Sequence, residues 1–171
     1  MADQTVVYEF EIKLCNLEDK YWRRIEITSV STVAKLAYAI MASFELSGSH
    51  LFSVRYINSY FEFYNDNAIQ PCDFKLKNLN LSVGDKLKMV YDFGADLNFE
   101  IKLTAIKEMK KGMGTHYPYV LSGAGAVIPE DLSVPELMER LESEYKEYDC
   151  EIDNALLKGK MQILKNQYES K

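Results

Sequence analysis

The chain has 171 residues, 47 % of them hydrophobic, and a formal net charge of -6. That is enough apolar material for one domain of ordinary size with a core, and it excludes global disorder. The acidic balance argues against a dedicated nucleic-acid binder, because neutralising phosphates with a basic face supplies most of such a protein's affinity; a local basic patch stays open.

Cys15, Cys72 and Cys150 are far apart and form no C-x-x-C pair. They read as free thiols in a reducing compartment, so a cytoplasmic location is expected. Met1 to Phe10 has neither a basic start nor an apolar stretch, so no signal peptide is expected. No run approaches the roughly 18 apolar residues of a membrane span.

Tyr8, Phe10, Ile12 and Leu14 alternate with Glu9, Glu11 and Lys13, the period of a strand with one buried face. "NLEDK" turns the chain, and "YWRRIEIT" forms a second strand with Ile25 and Ile27 inward. In "SVSTVAKLAYAIMASF" the period changes. Val33, Leu36, Ala37, Ile40, Met41 and Phe44 share one helical face, and Ser31 is the expected N-cap. "LFSVRYI" and "YFEFY" then flank "NS" as a tight hairpin.

"NDNAIQPCDF" is a loop. "LKNLNLSVGDKLKMVYDF" carries a turn at Val83-Gly84-Asp85 and a strand that directs Leu87, Met89, Tyr91 and Phe93 inward. "GADLN" turns into "FEIKLTAIKEM", with Phe99, Ile101 and Leu103 inward. From Lys110 to Asp131 the chain is rich in Gly and small residues and reads as a long irregular segment. Ser133 and Glu136 then form a capping box with Pro135 in the first turn. A last amphipathic helix is expected over 153–168, with Leu156, Leu157, Met161 and Leu164 on its apolar side.

The order strand, strand, helix, strand, strand, turn, strand predicts an α+β fold: a β-grasp-like mixed sheet around one helix, with an extra hairpin strand and C-terminal helices. The expected division is a domain over 1–131 and a helical extension over 132–171 packed on it.

Phosphate-loop, dinucleotide, nucleophile-elbow and zinc-helix motifs are absent. "SGAGA" has no following Lys, and a turn packed on the sheet is its ordinary explanation. His50 and His116 are the imidazoles, and no local run of Cys, His and carboxylates has metal-site spacing, so no residue is assigned to a metal and no cofactor is expected. Asp92, Asp96 and Glu100 can act as an acid–base group or hold a hard cation, against the plainer reading of a solvated hairpin end. Trp22, Arg23 and Arg24 form the best basic-aromatic cluster, able to take a carboxylate or phosphate. Cross-strand pairing with Glu9 or Glu11 is the plainer reading.

"YWRRIEI", the helix followed by "SHLFSVRY", "LSVGDKLKMVYDFGADLNFEI" and "HYPYVLSGAGAVIPED" together resemble the plasmid pRiA4b ORF-3-like family, over about Tyr8 to Asp131. The resemblance implies no defined biochemical function, although some relatives are labelled resolvases of mobile elements. It marks His50, Tyr91, Asp92, Asp96, Glu100, Tyr117, Glu130 and Asp131 as binding candidates. It also brings out departures. Ala95, Leu97 and Phe99 stand where the family has Asp, Trp and His. Phe52 stands for a second His, and Val120, Val127 and Leu132 stand for Cys. Five potential ligands of a soft or borderline metal are thus replaced by apolar residues, which implies packed positions and a lost site.

The expected function is a non-catalytic binding or protein-interaction module with a protein or small-molecule partner and no membrane. The alternatives are a nucleic-acid-acting protein of the resolvase kind, or a metal-dependent hydrolase using Asp92, Asp96 and Glu100.

Overall fold

The computed structural model describes residues 4–170. β1 (Val6–Leu14) and β2 (Trp22–Thr28) form the first hairpin, and α1 (Val33–Ser43) follows. β3 (Phe52–Tyr56) and β4 (Ser59–Glu62) form the second hairpin. β5 (Lys86–Tyr91) and β6 (Leu97–Glu108) form a third, and β7 (Tyr119–Ala124), α2 (Val134–Glu144) and α3 (Cys150–Glu169) complete the chain. Among the described residues the strands make one seven-stranded sheet in the order β4-β3-β5-β6-β1-β2-β7.

The protein is α+β, as the element order predicts, but two expectations about the sheet need correction. Every strand pair is antiparallel, so the sheet is not mixed. The long β6 lies between β1 and β5 and pairs with both, which widens the sheet beyond one helix. The segment after Lys110 is also not irregular throughout. Tyr119 to Ala124 adds β7 to the free edge of β2, with a register shift between Arg24 and Ile25. Its small residues hide the alternation that a strand normally displays.

The inner face of the sheet carries Phe10, Ile12, Leu14, Ile25, Ile27, Met89, Phe99 and Ile101, all buried. Phe52, Phe99, Val120 and Leu132 are buried and Val127 is half-buried, so these five apolar side chains are largely packed, as expected. α1 lies on this face, but it is more than amphipathic: ten of its eleven residues are buried, leaving Lys35 exposed. The reason is α3, which covers the far side of α1 with Leu157, Met161, Leu164 and Tyr168. A helix covered on two sides reads as apolar nearly all round. Thr32, one residue later than expected, is the N-cap, accepting from the Lys35 amide at 3.1 Å, while Ser31 bonds Thr28. The capping box of Ser133 and Glu136 is present.

The outer face is a solvated charge ladder. Arg24 lies 3.7 Å from Glu9 and 3.5 Å from Glu11, and Lys107 bridges Glu9 and Glu26. Partial burial pushes the Glu9 carboxyl up. Hydrogen bonds from Lys107 and Thr104 and the charges of Lys107 and Arg24 outweigh it, leaving Glu9 below the usual carboxylate range. A carboxylate depressed in the folded state stabilises above its unfolded pKa of about 4.3. That stabilisation is lost as pH falls through the folded value. Glu9→Gln should therefore flatten the acid limb of the stability profile, read by urea unfolding between about pH 5 and about pH 3. An unchanged acid slope would remove Glu9 from the acid response.

Candidate functional site

At one end of the sheet, three segments distant in sequence meet. The turn after α1 brings Ser47 to His50, the end of β5 brings Tyr91 and Asp92, and the approach to α2 brings Glu130 and Asp131. His50 Nε2 lies 2.6 Å from Asp131 Oδ1 and 3.4 Å from Asp92 Oδ2. One ligand atom from each of the three residues lies within 4.8 Å of the other two. That is close to the span of donors each about 2.0–2.2 Å from a shared ion.

The backbone explains how Asp92 arrives there. Alternation along β5 would point Asp92 to the outer face and Phe93 inward. The strand instead stops at Tyr91, and Asp92 takes φ +60°. The turn buries Asp92 and leaves Phe93 46 % exposed, correcting the inward placement of Phe93. Asp92 Oδ1 accepts from the Gly94 and Ala95 amides at 3.1 and 3.2 Å, which leaves Oδ2 toward His50. Asp131 also has positive φ, 63°. Side-chain exposure rises from 10 % at Asp92 through 31 % at His50 to 72 % at Asp131, so the corner opens to solvent on one side.

Behind the corner, Tyr91 and Glu130 hold the turn that carries His50. The Tyr91 hydroxyl donates to Glu130 and accepts from the Gly48 amide at 3.2 Å, while Glu130 accepts from the Ser47 amide at 2.6 Å. Burial, and then the negative charge of Glu130, push the Tyr91 hydroxyl up to about 12, so it remains a donor at neutral pH. Tyr91 meets the His50 ring edge-on at 5.8 Å. α3 supports the same turn. Tyr168 donates to the His50 carbonyl, and Gln167 donates to the Gly48 carbonyl at 2.8 Å. Gly48 has φ +78°, and a Cβ there would meet Leu164 at 2.5 Å.

The candidates from sequence therefore divide. His50, Tyr91, Asp92, Glu130 and Asp131 converge; Ser47 and Gly48 join them through backbone amides that no side-chain pattern announces. Asp96 accepts from Asn98, and Glu100 pairs with Lys86 at 3.1 Å, so the trio with Asp92 does not face one point. Trp22 is half-buried and registers against Ala124 on β7. Arg24 makes the cross-strand pairs with Glu9 and Glu11. Tyr117 lies beside α3, away from the corner's contacts, and lines a different cavity with Pro118.

Arg23 is the largest departure, because it is not a surface group. It is fully buried and donates to the carbonyls of Ser43, Trp22, Ala124 and Gly125 at 2.7 to 3.2 Å. Its guanidinium lies 3.9 Å from the Phe44 ring centroid and 3.6 Å from that of Tyr148. The Gly-rich turn thus presents carbonyls to a cation, the reverse of an amide cradle for phosphate. Parity along β2 was the available signal: the period that turns Ile25 and Ile27 inward also turns Arg23 inward.

The model of the plasmid pRiA4b ORF-3-like protein family matches residues 6–158, and the chain belongs to that family. Among solved structures it is similar to a protein of unknown function from Methanosarcina mazei Go1. The two are 24 % identical, with 90 % of each chain covered and a TM-score of 0.72, so they share a fold. No curated protein matches the chain. Among the described residues no helix is long and apolar enough to cross a membrane.

Proposed function

We propose that this chain is a non-catalytic binding module whose binding point is the corner of His50, Asp92 and Asp131, organised by a divalent cation. The observation that supports it is the convergence of one imidazole nitrogen and two carboxylate oxygens from three separate segments. One nitrogen with two oxygens suits a borderline ion such as iron or zinc, or the harder manganese. The solvent-open side leaves coordination positions for an anionic group of a partner. The five apolar replacements remove softer ligands without touching these three residues. The β-grasp likeness belongs to this reading too; it rests on the order hairpin, helix, hairpin.

The test is a thermal-shift and calorimetric titration with Mn²⁺, Zn²⁺ and Mg²⁺. An ion at about a hundred times its Kd stabilises by about 2.7 kcal/mol, a rise of roughly 5–10 °C for a domain of this size. His50→Ala and Asp131→Asn should each abolish that rise while leaving the ion-free Tm within about 2 °C, as surface substitutions do. No ion-dependent rise in the parent protein, or an equal rise in His50→Ala, would rule the site out.

The same solvent-open side favours one second reading, a metal-dependent hydrolase in which an ion at this corner activates water. Metal-dependent turnover of a generic ester that is lost in His50→Ala would replace the non-catalytic reading. The Asp92, Asp96 and Glu100 version has no converging geometry. A resolvase-type reading finds neither arginine free, since Arg23 is enclosed and Arg24 is paired on the outer face.

A further inference from the structure

A second cavity, of about 450 Å³, lies between the start of α1 and α3, and it shares no residue with the His50 corner. Lys35 of α1 and Lys158 and Lys165 of α3 line it, with Tyr117, Pro118 and Met161 as its less polar walls. Three lysines lining one cavity are unexpected in a chain of net charge -6, and one of them, Lys158, also donates to the Thr115 carbonyl. Among the described residues none of the three has a carboxylate within 4.0 Å. The one acid in the lining, Glu169, accepts from the Tyr38 hydroxyl at 2.8 Å and leaves three lysines against one carboxylate.

The cationic character has one further source. The Thr32 N-cap lies in the lining, and the first turn of α1 has no acidic residue, so the positive end of the helix opens on the same space. Although Lys35 is exposed as a residue, partial desolvation, and then the charges of Lys158 and Lys165, hold its ammonium below its ordinary range. Like charges held together in this way gain from an anion that neutralises them. Lysines serve phosphate as point charges, without the planar fork that a carboxylate pairs with in arginine. The volume falls within the range of small-molecule sites.

We propose that this cavity binds a small organic phosphate carrying at least two negative charges, with its phosphate at Lys35, Lys158 and Lys165 and its body against Tyr117, Pro118 and Met161. The probe is ADP, with inorganic phosphate as comparison, measured by calorimetry on the full chain at low and at moderate salt. ADP should bind, more weakly as salt rises, and inorganic phosphate should bind at least about tenfold more weakly, a difference of 1.4 kcal/mol. The double variant Lys158→Met/Lys165→Met changes two exposed side chains and leaves the helix intact. It should weaken ADP at least about tenfold with an unchanged circular-dichroism spectrum. Lys35→Met should weaken it comparably. Absence of ADP binding at low salt, equal affinity in the double variant, or equal affinity for inorganic phosphate would each overturn the assignment.

Discussion

Replacing Arg23 by Met is expected to destabilise the protein by about 3–5 kcal/mol, the cost of breaking a buried charge network. For a domain of this size that lowers Tm by roughly 10–15 °C. The methionine fills much of the volume but donates nothing. The carbonyls of Ser43, Ala124 and Gly125, which accept from the guanidinium at 2.7 to 3.2 Å, would lose that donor inside the core. Each orphaned buried acceptor costs about 1–3 kcal/mol. Asp153 adds to the loss. It lies 4.0 Å from Arg23 and is itself buried. Burial lowers the Arg23 guanidinium to about 10 and raises the Asp153 carboxyl, so desolvation works against both charges. The carbonyls and the two flanking rings, more than the distant carboxylate, are therefore what hold the cation.

Arg23→Lys tests that account. It keeps the charge but has neither the fork nor the plane that stacks between Phe44 and Tyr148. A loss of about 2–3 kcal/mol is expected, most of the methionine effect. Urea unfolding measures both variants. A Met variant within about 1 kcal/mol of the parent would show that the enclosed guanidinium contributes nothing net, as happens for some buried ion pairs.

Gly125→Ala is expected to cost about 3–4 kcal/mol. Gly125 has φ +76°, where an alanine carries about 1 kcal/mol of backbone strain. Its new Cβ would lie 2.3 Å from the Lys20 carbonyl oxygen and 2.4 Å from the Tyr21 ring. Overpacking of that kind adds about 1–3 kcal/mol. It would also displace the Gly125 carbonyl from Arg23. Two other glycines separate these causes. Gly84, at φ +99° with nothing within 4 Å, carries the strain without the collision, so Gly84→Ala should cost about 1 kcal/mol. Gly159 lies within α3 with nothing within 4 Å, so Gly159→Ala should stabilise by about 0.5–1 kcal/mol. Equal effects at Gly84 and Gly125 would remove the collision from the explanation.

The local elements were legible because their signals are local. Alternation marks β1, β2, β5 and β6, the period of 3.6 marks α1, and the capping box marks the start of α2. The same signals fail where a segment's partners are remote. β7 has small residues because Gly123 must pass close to β2: a Cβ there would lie 2.8 Å from the Trp22 carbonyl. A strand under that constraint loses its alternation. α3 was expected to direct Leu156 inward, yet Leu156 is 50 % exposed, because α3 meets α1 along Leu157, Met161 and Leu164.

The amino-acid sequence by itself determined the strand and helix periods, the α+β class, the family, and the residues of the candidate corner one at a time. Parity on β2 carried the signal for Arg23, but the sequence reading takes it for a surface group, and the fold encloses it. Only the tertiary structure decided which of those residues meet. His50 and Asp131 are 81 positions apart and lie within hydrogen-bonding distance. Asp92 joins them because a positive φ at the end of β5 reverses the direction that alternation assigns it. Lys35 likewise meets Lys158 and Lys165 only because α3 folds back over α1. Period reports which face a residue occupies within its own element. Convergence between elements depends on register, on turns and on the packing of distant segments, and no single stretch of sequence encodes it.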